Sequence, residues 1–196
     1  MSAILAEKLY TPAEYLALDR AAAYKSELID GHIYAMTGAT REHNLISLNI
    51  AAELRSQLKG RPCETYNNDM RIKGATARKY HYPDVVVACG KAELEDEHGD
   101  TLLNPAVLIE VLSASTEAYD RGGKFADYRR IPTLREYLLV AQDQPRIERY
   151  VRQGGAWLLT EAEGLEASIS LDALGCALAL REVYDRVFEA EAGEGN

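Results

Sequence analysis

The sequence predicts an α/β fold, a mixed β-sheet flanked by helices, with additional β-hairpins toward the N- and C-termini. Three observations predict it. Strand-like apolar runs at about 63–72, 82–88 and 105–112 follow a long helical pattern over 41–59. A strand–helix–strand order over 105–140, with a short helix, asks for a parallel crossover. Alternating residues on either side of Gly31 and of Gly154 and Gly155 read as hairpins. The 196 residues, 47% hydrophobic and 27% charged, suit one domain with a sizeable core over about 10–188 and a frayed tail over 189–196.

The elements follow in order. Thr11, Pro12 and Glu14 form a capping box with proline at the first helical position, so a short helix is expected over 12–18. Ser26 to Thr37 reads as a hairpin around Gly31 and His32. Leu45, Leu48, Ala52 and Leu58 recur on one side of the helix over 41–59, which Gly60 and Pro62 stop. The strand over 105–112 is apolar on both faces except for Glu110, which suits a central position. Asp120 is expected to cap a helix that ends at Pro132, and a buried strand follows over 134–140. Strands over 146–152 and 156–161 form the second hairpin. A short strand near 168–171 and a closing helix over 180–188 complete the chain.

Two carboxylates stand out. Asp84 opens the apolar run Val85 to Val87, and Glu110 sits inside Val107 to Leu112. A carboxylate among aliphatic neighbours needs its charge compensated, and a divalent metal compensates two at once. If the strands over 82–88 and 105–112 pair antiparallel, Asp84 near the start of one meets Glu110 near the end of the other. Lys124, fourteen residues after Glu110 on the following helix, is placed to return its ammonium to the same spot. Asp, Glu and Lys are the minimum set for metal-dependent phosphodiester cleavage. Glu27 in the first hairpin and Asp69 on the strand before Asp84 are accessory candidates. His43 reads first as a hydrogen bonder at a helix start, and Tyr128, one turn after Lys124, as packing against its stem.

The net charge of −9 excludes a protein that coats nucleic acid non-specifically, but local charge decides for an enzyme. Arg71, Lys73, Arg78 and Lys79 gather before Asp84, and Arg121, Lys124, Arg129 and Arg130 gather after Glu110. Of these, Arg71, Lys73, Arg121 and Arg129 are candidate nucleic-acid contacts. No apolar run of about 18 residues predicts a membrane span, and no basic-then-apolar start predicts a secretory signal. Cys63, Cys89 and Cys176 lie far apart without a Cys-x-x-Cys spacing, so neither zinc nor a disulfide framework is expected, and a reducing cytoplasm is the simplest home. Ser113 and Ser115 lack a nucleophile elbow, and no glycine-rich phosphate loop is present.

With these residues in place, the chain resembles the PD-(D/E)XK nuclease superfamily. More narrowly, it is similar to the Uma-type restriction endonuclease family of bacteria. The matching stretches are Glu27 to Gly31, His43, Asn68 to Arg71, Tyr82 to Cys89, and above all Ile109 to Tyr128, continuing through Ile131, Pro132, Glu136 and Tyr137. One departure matters: the usual Glu-x-Lys would place lysine at 112, where this chain has Leu112. The resemblance implies that the lysine has migrated to the helix as Lys124. It also implies a restriction-endonuclease-like fold and a Mg²⁺ or Mn²⁺ ion held by Asp84, Glu110 and the backbone carbonyl of Val111. A lysine with a depressed pKa would suit a base there. The expected activity is phosphodiester hydrolysis, in DNA, by a homodimer whose two-fold axis matches two strands. Two rivals share the fold: a catalytically inactive binding or regulatory dimer, and a structure-specific or RNA-directed nuclease.

Overall fold

The computed structural model describes residues 8–188; the tail expected over 189–196 lies outside them. Helix α1 (Pro12–Ala21) opens with the capping box, Thr11 and Glu14 each bonding the other's backbone amide. The hairpin β1 (Ser26–Ile29) and β2 (His32–Ala35) turns at Asp30 and Gly31, both with positive φ. Helix α2 (Arg41–Gln57) follows, with Thr40 as its N-cap.

The run over 63–72 is two strands rather than one. β3 (Cys63–Asn67) ends at a turn, and β4 (Arg71–Lys73) belongs to a different sheet. β5 (Lys79–His81) is a strand that the apolar runs do not announce. β6 (Val85–Cys89), the short β7 (Thr101–Leu102) and β8 (Val107–Val111) come next.

The helix expected from Asp120 starts earlier and is not regular. α3 (Glu117–Tyr119) passes into a π-helical turn over Asp120–Lys124 and then α4 (Phe125–Tyr128). Asp120 is therefore inside the helical segment and caps nothing. Gly123 allows this turn, since a Cβ there would stand 2.5 Å from the Tyr119 ring. β9 (Glu136–Val140), the hairpin β10 (Arg146–Gln153) and β11 (Ala156–Glu163), and the pair β12 (Ser168–Leu171) and β13 (Cys176–Ala179) follow. The closing helix α5 is short, Leu180–Val183.

Three sheets result. The largest runs β11-β10-β9-β8-β6-β3, all antiparallel except β8 with β9. That parallel pair is the crossover read from the sequence, and β8 is interior to the sheet. A second sheet runs β2-β1-β5-β4-β7, and β12 pairs with β13 alone. On one face of the large sheet Val85, Val87, Val107 and Ile109 pack against Ile46, Ile50 and Leu54 of α2. On the other, Val86, Leu108, Leu112, Tyr137 and Leu139 pack against Tyr128 of α4. Strand alternation puts Asp84 and Glu110 on this second face, the face that the π turn covers.

The cysteine reading is corrected by register. Cys63 and Cys89 are partners across β3 and β6, with Cα atoms 4.0 Å apart, and they form a disulfide. A 26-residue separation hid a pairing that the sheet makes direct. Among the described residues no helix is long and apolar enough to cross a membrane.

Candidate active site

Val85 pairs with Ile109 and Val86 with Leu108, so one residue further along Asp84 stands opposite Glu110. The Val111 amide donates to Asp84 Oδ2 at 2.7 Å, which ties the first carboxylate to the strand that carries the second. Both side chains line one cleft of about 800 Å³, together with Glu27, His43, Asp120 and Lys124.

Lys124 reaches this cleft from the π turn. Its Nζ lies 3.0 Å from Glu110 Oε1 and 3.4 Å from both Glu27 Oε1 and Asp120 Oδ1. Burial opposes the ammonium, but these three carboxylates outweigh it and hold the lysine pKa well above its usual range. The depression expected of this lysine belongs to a site with a cation beside it; the neighbours of Lys124 within the chain are anions. The Glu110 pKa is raised as well, but from the opposite cause. Burial raises its pKa well above the carboxylate range, Lys124 opposes this, and Asp120, Asp84 and Glu27 add to it. Tyr128 donates to Glu110 Oε1 at 2.8 Å, a specific contact beyond stem packing.

Glu27 is a structural hub of the site. The Tyr82 amide donates to its Oε1 at 3.1 Å, and His81 Nδ1 lies 3.5 Å from Oε2. Burial raises the Glu27 pKa, but Lys124 and His81 outweigh it and bring it down to about 2. His81 is fully buried, and its Nε2 is 3.1 Å from Asp127 Oδ2. His43, at the start of α2, places Nε2 3.1 Å from Asp84 Oδ2 and also interacts with the Val111 backbone. Burial lowers its pKa, yet Asp84 prevails and the net shift is upward. Its signal in the sequence was one histidine three residues after a threonine cap, which cannot say what the ring touches.

Other sequence candidates fall elsewhere. Asp69 sits in the turn after β3, largely exposed, 3.0 Å from Lys25, and does not line the cleft. Arg71 is buried among Asp19, Tyr82 and Thr101, so its guanidinium is closed to nucleic acid. Lys73 pairs with Glu95, and Arg121 with Glu117 and Glu148. Arg129 alone of the four is exposed without an ion pair among the described residues.

Whether a metal suits the site can be judged from its donors. Among the described residues no three His, Cys, Asp or Glu side chains converge as a ready cage. Mg²⁺ does not need one, since it commonly binds through one or two carboxylates and keeps several waters. Three carboxylates, those of Glu27, Glu110 and Asp120, touch one ammonium, and a fourth, Asp84, stands beside Glu110. Asp120 Oδ1 is buried and lacks a hydrogen-bond partner among the described residues. The cluster thus carries surplus negative charge, and it holds the His43 ring between Asp84 and Val111. The donor set fits a divalent cation there.

Comparison with known proteins agrees with this architecture. The family model described as "Putative restriction endonuclease", Uma2, matches residues 12–181. The uncharacterized protein sll1609 of Synechocystis sp. is 38% identical over 170 residues, covering 86% of this chain and 96% of that protein. A second uncharacterized Synechocystis protein, slr1290, is 35% identical over 175 residues, covering 89% and 90%. A crystal structure from Anabaena variabilis, described as a putative nuclease belonging to DUF820, superposes with a TM-score of 0.74 over 91% of this chain and 99% of that one. At 17% identity that likeness speaks for the fold alone. By its match over most of its length, the chain belongs to the Uma2 restriction endonuclease-like family.

Proposed function

We propose that the protein is a metal-dependent nuclease that hydrolyses phosphodiester bonds, with Mg²⁺ or Mn²⁺ as cofactor and DNA as substrate. The observation that carries this reading is the approach of Lys124 to Glu110, on the sheet face where Asp84 stands opposite. Asp84, Glu110 and the Val111 carbonyl would hold the ion. When bound, it would supply Lewis acidity toward a phosphate oxygen and lower the pKa of a bound water.

The remaining chemistry belongs to the chain. Lys124, whose ammonium sits among Glu27, Glu110 and Asp120, serves as a hydrogen-bond donor and a positive charge for the phosphoryl oxygens. Glu27 and Asp120 aim that ammonium, and Tyr128 fixes the Glu110 rotamer. The Val111 amide and His43 fix Asp84 from two sides. A homodimer, with one site per strand, is the assembly we propose for duplex cleavage.

The test is cleavage of supercoiled plasmid and of labelled oligonucleotides with Mg²⁺ or Mn²⁺. Wild-type protein is expected to cleave. Lys124→Met should lower the rate about 10²–10³-fold, the usual effect of removing one transition-state donor, at a temperature where a thermal melt shows the variant folded, because it also leaves Glu27 and Asp120 without their cation. Lys124→Arg should rescue poorly, because the guanidinium is bulkier. Leu112 lies on the same sheet face as Glu110, so adding Leu112→Lys to Lys124→Met should restore part of the rate. Undiminished cleavage by Lys124→Met would remove the lysine from the mechanism. No metal-dependent cleavage by wild-type protein would favour the inactive binding dimer.

A further inference from the structure

The cleft itself is poor in free positive charge. Lys124 is enclosed by carboxylates, and Lys25 at the rim pairs with Asp69. Phosphates on either side of a scissile bond need cations from elsewhere.

The opposite flank of the same helical segment supplies them. Phe125 follows Lys124 directly, and with Tyr150 and Trp157 it floors a second concavity of about 480 Å³. The aromatic groups are mutually packed: Phe125 lies 4.3 Å from Tyr150 and 5.5 Å from Trp157, centroid to centroid. Arg129, Arg130 and Arg152 line the rim. Arg152 is committed to structure. It lies 4.6 Å over the Trp157 ring and donates to the carbonyls of Arg129, Ile131 and Leu134, closing the end of α4. Arg129 and Arg130 are exposed and have no ion-pair partner among the described residues. Arg129 lies 5.9 Å over the Phe125 ring, and in a chain of net charge −9 two guanidiniums without a carboxylate partner beside an aromatic cluster form a local positive site.

We infer that this pocket is an exosite for single-stranded nucleic acid, with phosphates on Arg129 and Arg130 and an unstacked base against the Phe125–Tyr150–Trp157 floor. The inference rests on the proposed nuclease reading for the identity of the polyanion. Phe125, Tyr150 and Trp157 are half-buried, and accessible aromatic surface beside basic groups is the usual platform for single strands, because every base offers a π face and a duplex offers none. Arg129 follows Lys124 by five residues, a rise of roughly 8 Å along a helix, so the two concavities flank the same short segment.

Trp157 is the chain's one tryptophan, which makes the pocket directly observable. In chelator, where no cleavage occurs, an oligothymidylate of about ten nucleotides is titrated while tryptophan emission is followed. Saturable quenching is expected, and a blunt duplex of equal length should quench far less. The double variant Arg129→Ala, Arg130→Ala should bind at least about 10-fold more weakly. Its salt dependence should be flatter by about 1.4 in log–log slope, two single-strand phosphate contacts. The salt slope of wild-type protein tests the same contacts without a substitution. Absent quenching, equal quenching by duplex, a salt-independent wild-type affinity, or a double variant that binds like wild type overturns the exosite. Quenching without cleavage after Mg²⁺ is added keeps the exosite and overturns the nuclease reading. Cleavage without quenching does the reverse.

Discussion

Two clusters of buried charge lie close together in this fold, and they are built on opposite principles. Around Arg71 every group is paired. Its guanidinium donates to Tyr82, Thr101 and Asp19 at 3.1 Å each, and Asp19 also accepts from the Tyr82 hydroxyl and from the amide and hydroxyl of Ser26. Around Lys124 the account does not balance. Three carboxylates touch one ammonium with a fourth beside them, Glu110 is pushed toward its neutral form by burial, and Asp120 Oδ1 has no hydrogen bond, its ion pair with Lys124 spanning 3.4 Å. The first arrangement joins α1, β1, β4 and the segment before β6 and asks for nothing more. The second retains an unmet demand for positive charge, the physical mark of a site shaped for something outside the chain.

The comparison breaks most sharply at Arg71. Arg71→Met leaves Asp19 buried with its hydrogen bonds from Tyr82 and Ser26 but without a counter-charge, so it should cost about 3 kcal/mol and lower Tm by roughly 10 °C. A thermal melt checks it, and a loss under about 1 kcal/mol would mean that the network is not a structural pin.

Glu110→Gln, at an equally buried carboxylate, should behave differently. It removes a charge that its neighbours already oppose, so metal-free stability should stay within about 1 kcal/mol of wild type or rise. Calorimetric titration of the same variant should show Mn²⁺ binding lost. A destabilisation as large as that of Arg71→Met would make Glu110 structural and erase the contrast.

The smallest effect concerns Asp100, at the solvent edge of the balanced cluster. Its bonds with Arg20, against a smaller opposing effect of burial, depress its pKa from 3.8 to about 2. The folded value is below the unfolded one, so the stabilisation is complete above about pH 4 and is lost as pH falls toward 2. Asp100→Asn should therefore flatten the loss of stability in that window, as read from urea midpoints across it. An unchanged slope would show that other carboxylates carry the acid response.

What could be read from the sequence follows the same division. Asp84 and Glu110 were legible because each interrupts an apolar strand, and their antiparallel register follows from where they sit in those strands. The parallel crossover and both hairpins were legible from order and turn residues. The fate of Arg71 was not, since its partner Asp19 is 52 residues away and a basic run looks alike in solvent or core. Asp69 was misplaced because the turn after Asn67 was read as continuous strand. The π turn, with its Gly122 and Gly123, and the carboxylates that meet around Lys124 were not legible, because the groups come from elements far apart in the sequence. The Cys63–Cys89 bond needed the β3–β6 register.

The central claim is that Asp84 and Glu110 share a metal. A crystal of the protein soaked in Mn²⁺ and measured at the manganese edge tests it most directly. The predicted result is an anomalous peak in the cleft about 2.1 Å from a carboxylate oxygen of both Asp84 and Glu110 and from the Val111 carbonyl, with Lys124 beside it but not bound to it. A cleft without a peak at saturating Mn²⁺, or a peak that leaves Glu110 untouched, would contradict the account.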